Sequence, residues 1–117
     1  MERFLNLDNL AAELHQTALE KGFWGPLDSL RESDDGFIFY AKQIAMIHSE
    51  ATEVLEALRK DKGQMAVVEE LADIIIRVLD LYNGLYNEGV VTASLHKVLR
   101  KKAGINKDRP RLHGVRG

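Results

Sequence analysis

The 117-residue chain contains no cysteine, which excludes disulfide bonds and thiolate-bound metals and is compatible with a reducing compartment. It has no apolar run of the roughly 18 residues a membrane span requires. Its opening, MERFLNLDNL, lacks the basic segment and long apolar stretch of a secretory signal. These absences lead to the expectation of a cytoplasmic protein with no membrane partner. No stretch alternates polar and apolar residues as a strand does, no repeat recurs at a fixed period, and no segment is of low complexity. What remains is ordinary for a globular chain, 45% hydrophobic and 29% charged. The length predicts one domain, residues 1–117, with a modest core.

Apolar spacing predicts four helices. The first covers about residues 7–21, with Leu7, Leu10, Ala11, Leu14, Ala18 and Leu19 on one face, Asn6 or Asp8 as its cap, and Gly22 ending it. His15 falls among polar positions and reads as a surface residue. Gly22-Phe23-Trp24-Gly25-Pro26 breaks the pattern. The lone tryptophan there is either a plug over a bundle end or a platform for a nucleobase. Residues 27–35 read as a loop with at most a short helical turn. A second helix over 37–60 buries Ile44, Ile47, Ala51, Val54, Leu55 and Leu58, and His48 reads as a packing histidine. A third, over 65–87, is apolar on more than one side, which argues for burial against a second copy of the chain. Gly84 and Gly89 weaken its end. A fourth, over 92–102, points Ala93, Leu95, Val98 and Leu99 inward and stops at Gly104. The fold class expected is all-α: a four-helix bundle, or part of one completed by homo-oligomerisation as a dimer or tetramer.

The chemistry is concentrated in residues 47–80. Two carboxylate pairs, Glu50-x-x-Glu53 and Glu70-x-x-Asp73, flank a polar turn at residues 59–63. Residues three apart share a helix face, with Cβ atoms ~5–6 Å apart. In an antiparallel hairpin, opposed residues have position numbers of constant sum. Glu50 with Asp73, and Glu53 with Glu70, share one such sum, centred in the turn. Four acids then stand at one level and raise one another's pKa values unless a cation offsets them. An all-oxygen set suits Mg²⁺, Mn²⁺ or Ca²⁺ better than zinc. Lys42 and Gln43, about two turns before Glu50, are placed to approach a ligand in the same groove. Arg77, one turn past Asp73, is expected to pair with a carboxylate rather than with phosphate.

The net charge of −2 conceals a basic segment, residues 97–117, with eight Lys or Arg against the single acid Asp108. An acidic centre and a basic end together suit a polyphosphate with its metal. Three other readings compete with this one. A di-iron carboxylate bundle needs Glu-x-x-His motifs, and no Glu here has a His three residues later. A nucleic-acid-binding module with a basic tail lacks a recognition-helix motif, and its acids would repel a backbone, so nucleic acid is an unlikely partner. A non-catalytic dimerisation bundle remains the bland alternative.

The segments HSEATEVLEALR and VVEELADIIIRVLD, with the upstream Gly-Phe-Trp and the closing KKAGINKDRPRLHG, resemble the MazG-like all-α nucleoside triphosphate pyrophosphohydrolases, in their short single-domain form. The resemblance spans about residues 22–114. It implies that Glu50, Glu53, Glu70 and Asp73 are Mg²⁺ ligands, with Mn²⁺ an acceptable substitute. It also implies that Lys102 and Asn106 reach the triphosphate or sugar, that Lys107 and Arg109 add positive charge, and that the α–β phosphate bond is cleaved to give a nucleoside monophosphate and pyrophosphate. Glu53 is the candidate to take the attacking water's proton, and Trp24, Lys42 and Gln43 are the candidates to meet the base. One departure stands out: Arg77 occupies the place where the family often has an aromatic, so a relative's base pocket does not transfer.

Overall fold

The computed structural model describes residues 6–34 and 36–110, the side chains at 31–34 excepted. Five helices follow in order: α1 Leu7–Glu20, α2 Pro26–Asp34, α3 Phe37–Arg59, α4 Gln64–Asn87 and α5 Leu95–Lys107. No strand occurs among the described residues. The fold is all-α, and among the described residues no helix is long and apolar enough to cross a membrane.

Asn6 caps α1 by accepting from the Asn9 backbone N–H at 3.0 Å. Asp8, the other candidate cap, serves a different helix. Its carboxylate accepts from the backbone N–H groups of Leu95 (2.8 Å) and His96 (3.2 Å), at the positive end of α5. Ser94 accepts from the Lys97 N–H at 3.2 Å. These two caps explain why α5 begins at Leu95 rather than Thr92. It also runs through Gly104 instead of ending there, so Asn106 and Lys107 are helical residues. Ala93 precedes the helix and is exposed, and Val98 and Leu99 are each close to half exposed rather than inward. Arg111 and Arg116 lie outside the described residues.

The expected loop over 27–35 is instead α2. Proline at a first helical position forfeits no hydrogen bond, because that N–H has no partner in any helix. Leu27 is buried, and Leu30 packs against the core. α3 and α4 form the antiparallel hairpin. α3 ends with Asp61 in the left-handed conformation (φ 52°), and the Lys62 N–H closes back on the Ala57 carbonyl at 3.1 Å. α1 packs along α4, α2 on α3, and α5 against α1.

The core gathers around Trp24, with Ala18, Leu27 and Phe39. Trp24 is only 6% exposed and packs in the core, as the bundle-plug reading expects. Its ring lies 5.0 Å from Phe39 and 4.7 Å edge-on from His15. Gly84 has a packing role within α4. It opens the space the tryptophan fills: a Cβ there would stand 2.0 Å from Trp24 Cη2.

His15 is 4% exposed, not a surface residue. It follows Ala11 by four residues and precedes Ala18 by three, so it shares their buried stripe. His48, conversely, is exposed, because it lies on the outer side of α3. The apolar faces expected inside are also largely uncovered in the single chain. Ile44, Leu55 and Leu58 of α3, and Met65, Val68, Leu71, Ile75 and Val78 of α4, are all exposed.

Candidate functional site

The hairpin register brings three of the four expected acids together. Glu50 of α3 and Glu70 and Asp73 of α4 each offer an oxygen within 4.8 Å of the others. A cation bonded to oxygen at about 2.4–2.6 Å spans even the upper limit of that separation, and Mg²⁺, at about 2.0–2.1 Å, would hold the oxygens within roughly 4.2 Å of one another. Glu53 is exposed and stands outside this trio, although its charge still reaches it. The Glu70 carboxyl titrates above its ordinary value. Partial desolvation is the first cause, followed by the charges of Asp73, Glu53 and Glu50, with Lys62 opposing.

Arg77 meets the expectation of a carboxylate pair: its Nε donates to Glu50 Oε1 at 3.1 Å. The pair bridges α4 to α3 and leaves the other Glu50 oxygen available to the trio.

A cleft of about 340 Å³ opens beside these groups, a volume at the lower end of small-ligand sites. Glu50, Asp73 and Arg77 border it, Leu14, Ala18 and Ile76 wall it, and Phe23 stands at its edge, 59% exposed. Asp80 also lines it. On α4, Asp73, Arg77 and Asp80 recur at i, i+4 and i+7, which is one helix face.

Asp80 is held from behind. Its Oδ1 accepts from Trp24 Nε1 at 2.9 Å and from His15 Nδ1 at 2.8 Å. A carboxylate only accepts, so His15 carries its proton on Nδ1.

Phe23 and Asp80 were not singled out from the sequence. Nothing in the local sequence says which of Phe23 and Trp24 turns inward. Gly22, with φ 80°, makes this turn possible by closing α1 through the Phe23 N–H to the Ala18 carbonyl at 3.0 Å. For Asp80, the signal was its place two turns beyond Asp73.

Other expected residues are not gathered here. Lys42 is exposed and Gln43 half-buried on the first turns of α3, and neither lines the cleft. Lys102, Asn106 and Lys107 are exposed on α5, and Arg109 follows it. No described hydrogen bond or ion pair joins any of the four to the acids, and none lines the cleft. Comparison with known protein families, curated proteins and solved structures gives no match for this chain.

Proposed function

We propose that this protein is a Mg²⁺-dependent nucleoside triphosphate pyrophosphohydrolase of the MazG-like type, releasing pyrophosphate and a nucleoside monophosphate. The observation that carries the reading is the convergence of Glu50, Glu70 and Asp73 beside a cleft with apolar walls. Oxygen-only donors suit Mg²⁺ or Mn²⁺. When bound, such an ion supplies charge neutralisation for the phosphates and a more acidic water.

The protein's own part is positioning. Glu50 is fixed by Arg77, and Glu70 and Asp73 by their common face on α4. Glu53, outside the trio but near it, is free to accept the attacking water's proton. The pairing of Lys102 with Asn106 at i, i+4 on α5 offers two donors to a phosphate or sugar. The direct test is a screen of common and modified nucleoside triphosphates, with and without Mg²⁺, for pyrophosphate release. Release from none would count against the reading.

The cluster's electrostatics set a second expectation. A carboxyl whose pKa is raised by folding contributes stability fully below its unfolded value, and that contribution is lost as pH rises through the folded value. At neutral pH the ionised Glu70 therefore opposes folding of the metal-free protein. Mg²⁺ should raise the thermal midpoint by a few degrees near pH 7.5, with the gain shrinking as pH falls through Glu70's raised range and protons compete. Glu70→Gln should raise the metal-free midpoint and remove most of the Mg²⁺ gain. An equal gain in that variant would contradict the assignment.

The same reading includes homo-oligomerisation. Val68, Leu71, Ile75 and Val78 recur at i, i+3, i+7 and i+10, each exposed. This stripe is displaced by two positions, about 200° around the helix, from the stripe of Glu70, Asp73, Arg77 and Asp80. A second hairpin seated on it would complete a four-helix bundle with the acids on the far side. Light scattering at micromolar concentration should give at least a dimer, and Leu71→Arg with Ile75→Arg should give a monomer that keeps its helical signal. A wild-type monomer would contradict this.

A further inference from the structure

Asp80 is positioned like a reader rather than like a core residue. A buried carboxylate with two donors on one oxygen has that oxygen saturated and its plane fixed. Trp24 and His15 do this to Oδ1, and no described residue donates to Oδ2. The residue is 9% exposed, and it lines the cleft. It lies seven residues past Asp73 on the same face of α4, which is roughly 10.5 Å along the axis. A phosphate held at the acidic trio would put the sugar near the level of Arg77 and the far edge of the base near Asp80. Leu14 and Ile76 wall that space, and Phe23 offers a ring at its edge for stacking.

We infer that Asp80 selects the nucleobase, favouring one that presents an exocyclic amino group over one that presents a carbonyl at the same position. This deepens the triphosphate reading and rests on it. An ionised carboxylate accepts from an amino group, as it does from cytosine N4. Facing the carbonyl of uracil, thymine or hypoxanthine, Oδ2 meets a second acceptor, and both lose their water without gaining a partner. Arg77, one turn nearer the acids, also lines the cleft, and the N–H groups it does not give to Glu50 are further donors for the same nucleotide.

The test compares matched substrates differing at that group: dCTP with dUTP, and dATP with dITP, all with Mg²⁺. The wild type should favour the amino member of at least the better-accepted pair by about tenfold or more in kcat/KM, because a buried acceptor left unpaired is costly. Asp80→Asn keeps the shape and can turn its carbonyl toward Trp24 and His15 and its NH₂ toward the cleft. Its preference should fall to near one or invert.

Binding of dCMP and dUMP to the wild type, by calorimetry, gives the same comparison without a variant and decides the matter if Asp80→Asn does not fold. Hydrolysis of both members of each pair at equal kcat/KM overturns the base inference alone. Hydrolysis of no triphosphate removes it together with the function on which it rests.

Discussion

Asp73→Asn is expected to abolish pyrophosphate release while leaving the helical signal and the oligomer close to those of the wild type. Asp73 is the exposed member of the trio, so its replacement leaves no buried group unpaired and disturbs no packing. Its loss removes one of three oxygens from the candidate cation site and half of the repulsion-matched geometry on α4. Removing only an outer partner of a metal ligand typically costs about 10–100-fold, so removal of a ligand should cost more than that in kcat/KM. Excess Mn²⁺ should recover little. Glu50→Gln should have a comparable effect, with the added loss of the charge that Arg77 pairs with at 3.1 Å. If the Asp73 variant retained wild-type kcat/KM on a responsive substrate, the trio would not be the reaction centre.

The second large effect concerns stability. Gly84→Ala should destabilise the fold by about 3 kcal/mol or more, beyond the usual cost of a modest overpacking. The added methyl would lie 2.0, 2.4 and 2.7 Å from Trp24 Cη2, Cζ2 and Cζ3. The ring cannot simply move away. Phe39 and His15 flank it, and its Nε1–H is committed to Asp80. Displacing it also strips a donor from a buried carboxylate, which adds about 1–3 kcal/mol. Trp24→Phe in the same chain removes the atoms that collide, so the double variant should be more stable than the two separate losses predict. Denaturant unfolding of the four proteins measures that coupling. An unperturbed Gly84→Ala would show that α4 and the tryptophan are not packed this closely.

These two sites differ in how far the sequence revealed them. The carboxylate hairpin was legible because helix geometry is local. A three-residue spacing fixes a shared face, and a short polar turn fixes which residues oppose. Glu50, Glu70 and Asp73 meet as that arithmetic requires. Glu53 obeys the same register yet stands outside the trio, because side-chain direction is not contained in register alone.

The Trp24 seat was not legible. Whether Trp24 or Phe23 turns inward depends on a glycine sixty residues away, and only the packing of α1 on α4 brings them together. His15 reads as a surface residue because its sequence neighbours Glu13 and Gln16 are polar, although its helix neighbours Ala11 and Ala18 are buried. α2 is hidden in the sequence because Asp28, Ser29, Glu32, Ser33 and Asp34 resemble a loop by composition. Two leucines and a well-placed proline were enough to hold it as a helix against α3.

The basic residues of α5 remain the least connected part of the sequence reading. They are exposed, on a helix that packs against α1 rather than on the α3–α4 hairpin that carries the acids.

Manganese uptake tests the central claim most directly. Free Mn²⁺ has a paramagnetic resonance signal that vanishes on binding, so titration of the protein reports occupancy without any substrate. Uptake of at least one Mn²⁺ per chain, displaced by Mg²⁺ and lost in Asp73→Asn, is the predicted result. No uptake, or uptake undiminished in that variant, would contradict the account.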